Sequence, residues 1–175
     1  MGEVKGLAPP ALLSDCHDIG NFISGEPSLD EWLRRRARAN QVSGASRTYV
    51  VCSGNTRVVA YYALASGVVT AKSAPGRFRR NMPDPIPVVV LARLAVDSEW
   101  QRQGIGRALF RDAAMRVTQA ADVIGIRGIV VHAISEAARK FYLSLGFVPS
   151  TREPMTLMVT LGDIVAAFSG CEPRP

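Results

Sequence analysis

The sequence predicts a mixed α/β fold with a single central sheet, and three stretches carry that prediction. The first is residues 88–110, VVVLARLAVDSEWQRQGIGRALF, where an apolar run broken only by Arg93 gives way to a polar exit and then to two closely spaced glycines. A buried strand, a glycine-bearing loop and the start of a helix are the simplest reading of that order. The second is a pair of β-branched and aromatic runs, 48–53 and 58–70, joined by Gly54-Asn55, a hairpin signal. In the third, a loosely alternating run at 126–134 is followed by Ser135, a helical stripe and Gly146.

Taken in order, residues 1–20 read as an irregular lead-in with an edge strand at 11–13. Ser28-Leu29-Asp30-Glu31 has the pattern of a capping box, the Ser28 hydroxyl taking the Glu31 amide while Glu31 reaches back. The helix it opens would bury Leu29, Trp32, Leu33 and Ala37. Residues 1–31 carry a net charge of −5, whereas 32–57 hold six arginines and no acid. A solvated helix face is the commoner meaning of such arginines, yet their concentration also suits a phosphate backbone.

The hairpin follows, and then residues 71–87, with four prolines beside Lys72, Arg77, Arg79 and Arg80. A loop of that length in a compact domain is either functional or mobile. After the strand at 88–96, the helix from Gln101 would bury Ile105, Ala108, Leu109, Ala113 and Val117. Ser135 is placed to cap the next helix, with Ala137, Ala138, Phe141 and Leu145 inward and Gly146 ending it in the left-handed region. Residues 147–148 and 155–160 close the sheet, 163–168 form a short helix, and 168–175 read as a flexible tail.

The 175 residues suffice for one domain with a real core. A net charge of +6 makes an anionic partner plausible without naming it. Cys16, Cys52 and Cys171 are odd in number and unclustered, which points to a reducing cytoplasm without a disulfide framework or structural zinc. The chain shows no signal-peptide pattern and no apolar run long enough to span a bilayer.

The junction at 96–107 is an anion site on physical grounds. The first turn of a helix has amides without acceptors and the positive end of the macrodipole, and glycine lets a ligand approach the backbone. Its spacing matches neither GxxxxGK[ST] nor GxGxxG. By itself Gly104-x-Gly106 equally suits a tight strand-to-helix turn that binds nothing.

Two motifs in order resolve that choice. Gln101-x-x-Gly104-x-Gly106 after a strand resembles the [RQ]-x-x-G-x-[GA] loop of the GNAT acetyltransferase superfamily. Residues 138–147, ARKFYLSLGF, are similar to its A-x-x-F-Y-x-x-x-G-F helix. The resemblance implies the GNAT fold and acetyl-CoA as acetyl donor, with no metal. It places pantetheine along the backbone of Leu94, Ala95 and Val96. The diphosphate would sit on the amides of Arg102, Gln103, Gly104, Ile105, Gly106 and Arg107, with Ser135 also facing the cofactor. It further implies Tyr142 as the general acid that protonates the leaving thiolate. Helical position alone puts Tyr142 at the edge of the apolar stripe, where an ordinary core tyrosine is the commoner reading.

The N-terminal half, FISG at 22–25, LDEWL at 29–33, ANQ at 39–41 and GASRTY at 44–49, resembles the GNAT toxins of type II toxin–antitoxin pairs. That resemblance implies a dimeric cytoplasmic enzyme that acetylates the α-amino group of aminoacyl-tRNA and blocks translation, held by a ribbon-helix-helix antitoxin. Arg34, Arg35, Arg38, Arg77, Arg79 and Arg80 then become the candidate tRNA contacts. No general base is visible, and an α-amino group, with a pKa of about 7.7–8.0, needs one far less than a lysine at about 10.4. His17 and His132 are isolated, and His132 is expected in or near the core. Arg93, inside an apolar strand, needs a partner, an internal acid first and substrate or antitoxin second. Two other functions compete: an acetyltransferase for a small amine or protein N-terminus, and a non-catalytic antitoxin-binding module.

Overall fold

The computed structural model describes residues 6–169. Its strands hydrogen-bond in the order β1-β2-β3-β4-β5-β7-β6. They are β1 (Ala11–Leu12), β2 (Arg47–Ser53), β3 (Arg57–Val69), β4 (Ile86–Val96), β5 (Gly128–His132), β6 (Val148–Pro149) and β7 (Thr156–Thr160). The helices are α1 (Pro27–Arg35), α2 (Ala37–Ser43), α3 (Gly76–Arg79), α4 (Ile105–Ala121), α5 (Glu136–Ser144) and α6 (Leu161–Ser169). The expected mixed sheet with flanking helices is therefore present. The tail expected after α6 lies outside the described residues, as does Cys171, and 168–169 finish α6.

The chain divides into two compact units, and β3, β4 and α4 each run through both. The first unit takes residues up to Ala65 together with Leu91–Ala113. Its core gathers Phe22, Leu29, Leu33, Ala37, Val50, Val58, Tyr61 and Ala95, with Trp32 packed against them. The strands β2 and β3 pair antiparallel from Arg47↔Leu64 to Ser53↔Arg57, with a bulge between Val51 and Cys52, and Gly54 turns the hairpin at φ +64°.

The predicted capping box is not formed. Pro27 takes the first helical position and moves the N-cap two residues earlier, from Ser28 to Glu26, which has no side-chain cap bond. Ser28 is thus already inside the helix, and Glu31 pairs with Arg35 at 3.0 Å instead. The work of fixing the entry falls to Asp30, whose buried carboxylate accepts from both the Ser24 amide (2.9 Å) and the Ser24 hydroxyl (2.6 Å). The helix also breaks at Arg36, giving two short helices where the sequence suggested one. Leu29, Leu33 and Ala37 are buried as expected.

The second unit takes Ser66–Val90 and the chain from Ala114 onwards. In it β4 and β5 run parallel through Val89↔Ile129 and Val90↔Val130, and β5 pairs antiparallel with β7. Phe78, Ile86, Val88, Val130 and Met158 form the core. The proline-rich stretch 71–87 is not an open loop: it contains α3 and leads directly into β4 at Ile86. Phe78 is only 2% exposed, and Arg127 donates to the carbonyls of Phe78 (2.8 Å) and Arg77 (2.7 Å). His132, expected in or near the core, is exposed, although Nδ1 lies 3.0 Å from the Thr156 hydroxyl.

Candidate active site

The donor side begins where β4 leaves its neighbour. Its ladder with β5 covers only Val89 and Val90, while the strand continues to Val96. Asp97 then caps a 3-10 turn, Ser98–Trp100, by accepting from the Glu99 amide, and its other oxygen accepts from the Ile23 amide at 3.1 Å. Gln101, although exposed, folds back on the loop: its side-chain amide donates to the carbonyls of Ser24 (2.6 Å) and Val96 (2.9 Å). Its role is to lock the loop entry, a long-range contact that the motif by itself does not reveal.

From there the chain turns through two left-handed residues, Arg102 at φ +62° and Gly104 at φ +79°. A non-glycine residue in that region is uncommon and costs energy. The Ala108 amide donates to the Gly104 carbonyl at 3.1 Å. The amides of Arg102, Gln103, Gly104, Ile105 and Gly106 take no acceptor among the described residues. Arg102, Gln103, Gly104 and Arg107 are exposed, whereas Ile105 is buried and anchors the helix to the core. An open row of amides at the head of a 17-residue helix fits a diphosphate. Of the strand residues expected to carry pantetheine, Ala95 is buried while Leu94 and Val96 are half-buried. Phe110 and Ala114 extend the buried face of α4 beyond the five residues the stripe named, and Ala108 is only half-buried.

Tyr142 belongs to a different local device. Ser135 caps α5 as predicted, its hydroxyl accepting from the Ala138 amide at 3.1 Å. That oxygen is therefore engaged in the helix start. At the other end Gly146 adopts φ +97°, the Gly146 amide donates to Leu143 (3.1 Å) and the Phe147 amide donates to Tyr142 (3.2 Å). This pair of bonds is a Schellman motif, which is commonly accompanied by an apolar contact between the residues it joins. Here that contact is Phe147 on Tyr142, ring centroids 5.4 Å apart at 67°, with Phe141 on Tyr142 at 5.3 Å and 66°. Tyr142, not Ala137, is the buried residue of α5; Ala137 faces out because the buried face is rotated from the expected stripe.

The Tyr142 ring is 8% exposed, and burial pushes its phenol up to about 12. Its hydroxyl has no hydrogen-bond partner among the described residues and is not one of the fully buried polar atoms left without one. The ring is thus clamped while the oxygen remains open.

The six candidate tRNA arginines divide by what they hold. Arg34 donates to the Phe22 carbonyl (2.9 Å), and Arg38 to those of His17 (2.7 Å) and Ser14 (3.3 Å), so both tie α1 and α2 to the lead-in. Arg35 pairs with Glu31, and Arg77 with Asp163 at 2.6 Å. Arg79 and Arg80 are exposed and have no ion pair among the described residues. Arg93 does not meet the internal acid expected for it. Its guanidinium stands over the Trp32 ring, 5.2 Å from the centroid, and donates once, to the Ala92 carbonyl. No group of three or more His, Cys, Asp or Glu side chains is placed to hold a metal among the described residues.

A strand that outruns its neighbour into an open helix N-terminus, followed by a capped helix presenting a tyrosine, defines an acetyltransferase of the GNAT class. The chain belongs to that family: the acetyltransferase (GNAT) domain model matches residues 45–149. Within it, the chain is 52% identical to the tRNA-acetylating toxin of Mycobacterium tuberculosis over 160 residues, covering 91% of this chain and 96% of that one. Among solved structures it is similar to AtaT complexed with acetyl-methionyl-tRNAfMet (TM-score 0.85, 30% identity, 93% of this chain and 99% of that one). It is also similar to a Tyr-to-Phe variant of AtaT bound to acetyl-CoA and the C-terminus of the antitoxin AtaR (TM-score 0.80, 28% identity, 94% and 99%).

Proposed function

We propose that this acetyltransferase moves the acetyl group of acetyl-CoA to the α-amino group of an aminoacyl-tRNA and so halts translation. The observation that carries this reading is the 52% identity, across nearly the whole of both chains, to a protein named as a tRNA-acetylating toxin. The open amides of α4 and the free phenol of Tyr142 are consistent with it.

Acetyl-CoA supplies an activated thioester. The backbone of Leu94, Ala95 and Val96 orients the donor arm, and the amides of residues 102–107 hold the diphosphate, with the Arg102 side chain adding charge. A neutral amine attacks the carbonyl carbon, a C–N bond forms, and the C–S bond breaks. The nitrogen releases its surplus proton to solvent. Tyr142 donates its proton to the departing sulfur and recovers one from solvent. A phenol near 12 does not ionise at working pH, so it is always in the donating form. The α-amino group needs no protein base, since a substantial fraction is neutral near pH 7–8. Arg79 and Arg80 offer charge to tRNA phosphates directly, and Arg35 does so by exchanging its exposed pair with Glu31. Arg77 does so by exchanging its exposed pair with Asp163, and Arg34 and Arg38 contribute field from where they hold the lead-in. A ribbon-helix-helix antitoxin, a homodimer and a cytoplasmic location complete the proposal, on the resemblance to the toxin family.

The test is purified protein with acetyl-CoA and charged tRNA, followed by mass spectrometry of the tRNA-linked amino acid. An N-acetylated aminoacyl ester is expected. Acetylation confined to small amines or protein N-termini would replace this acceptor, and failure to bind acetyl-CoA in calorimetry would reduce the chain to a binding module.

A further inference from the structure

Arg93 is the one charged residue in β4, and it is half-buried. Desolvating a guanidinium is costly unless charge or hydrogen bonds compensate it. Here compensation within the chain is partial. The Trp32 face lies 5.2 Å from Cζ, and a single hydrogen bond goes to the neighbouring Ala92 carbonyl, which leaves most of the five N–H donors unused. No acid pairs with it among the described residues.

The support beneath it is rigid. Trp32 stacks on Tyr61 with centroids 6.0 Å apart and planes at 6°, and the Tyr61 hydroxyl donates to the Leu29 carbonyl at 2.7 Å. A fixed cation with spare donors is a preorganised anion contact. Its position narrows the anion. It precedes the strand residues Leu94–Val96 proposed for the donor arm, and it rests on α1, the helix whose exposed arginines begin two residues after Trp32. The amine of an aminoacyl-tRNA is separated from a phosphodiester by only one ester and one ribose. A substrate reacting beside β4 therefore brings a phosphate with it, whereas a small amine brings none.

We propose that Arg93 is a substrate-binding residue that takes a phosphate at the 3′ end of the aminoacyl-tRNA, with Trp32 and Tyr61 as the stack that holds it. This rests on the acceptor assigned above, and wild-type protein tests that acceptor first. If wild-type protein acetylates charged tRNA, Arg93→Gln should raise KM for charged tRNA about tenfold, as expected for loss of a charge-assisted bond. Its acetyl-CoA affinity should stay at the wild-type value. The slope of log affinity for tRNA against log salt should flatten by about 0.7, one single-strand phosphate. Arg93→Lys should keep the slope, since the charge remains. An unchanged KM and slope in Arg93→Gln would overturn the inference while leaving the acceptor intact, and so would a lost acetyl-CoA affinity. A second measurement needs no variant: wild-type protein is treated with phenylglyoxal and its peptides are weighed. Charged tRNA should protect Arg93 from modification and acetyl-CoA should not; protection by neither, or by acetyl-CoA alone, counts against it.

Discussion

Two helix ends carry the proposed chemistry, and they are finished in opposite ways. At the start of α4 the chain passes through left-handed Arg102 and Gly104 and leaves a row of amides without protein acceptors. At the end of α5 it passes through left-handed Gly146 and satisfies its carbonyls in a closed cap. The same backbone device therefore serves two purposes. The end proposed to receive a ligand is left open, and the end proposed to hold the phenol still is sealed. In the sealed case the cap's own apolar contact is the Phe147–Tyr142 pair, so terminating the helix and orienting the phenol are a single act.

The sharpest way to test this division is Tyr142→Phe. The hydroxyl has no partner to lose, so the melting temperature should remain near wild type while acetyl transfer falls by roughly 10²- to 10⁴-fold. A full-rate variant would remove the phenol from the mechanism. Next come matched substitutions at the two glycines. A Cβ at Gly104 or Gly146 meets nothing within 4 Å, so the penalty at both is backbone strain of about 1–2 kcal/mol. Gly104→Ala should also weaken acetyl-CoA binding about tenfold in calorimetry, by re-aiming the amides, while Gly146→Ala should lower stability and leave that affinity unchanged. Equal effects on binding would erase the contrast.

A smaller effect is expected from pH. With the phenol raised to about 12, the rate should climb as the acceptor amine loses its proton and then stay level to pH 10. Stability follows the same linkage. An unfolded tyrosine ionises near 10 and the folded one near 12, so the Tyr142 contribution is complete below pH 10 and is lost as pH rises through that window. The smallest change belongs to Arg35→Ala, whose exposed pair with Glu31 is worth under about 1 kcal/mol in thermal melts.

Much of the donor loop and of α5 was legible in the sequence because short-range signals specify them. Glycines at fixed offsets, a serine cap and a terminating Gly146 act over a few residues. The errors arose where distant side chains decide. A Ser-x-x-Glu pattern implied a capping box, but Pro27 shifts the helix start and Asp30 reaches back to Ser24. Arg93 was expected to find an acid and found an indole sixty-one positions earlier in the chain. Gln101 reads as part of a cofactor motif, yet its side chain bridges Ser24 and Val96. Periodicity placed Ala137 inward because it cannot specify how the helix is rotated against what covers it.

Gly128 shows what a close approach does for the arginines of α3. A side chain there would overlap the Val159 carbonyl oxygen and meet the Phe78 ring at 2.8 Å. With Phe78 seated on that bare backbone and Arg127 gripping the turn, the segment bearing Arg77, Arg79 and Arg80 is a mounted plate, not a swinging arm. The tRNA proposed to land on it would meet Arg79 and Arg80 already in position, and Arg77 after exchange of its pair with Asp163. Association should then be fast and governed by ionic strength, with little delay for the protein to rearrange.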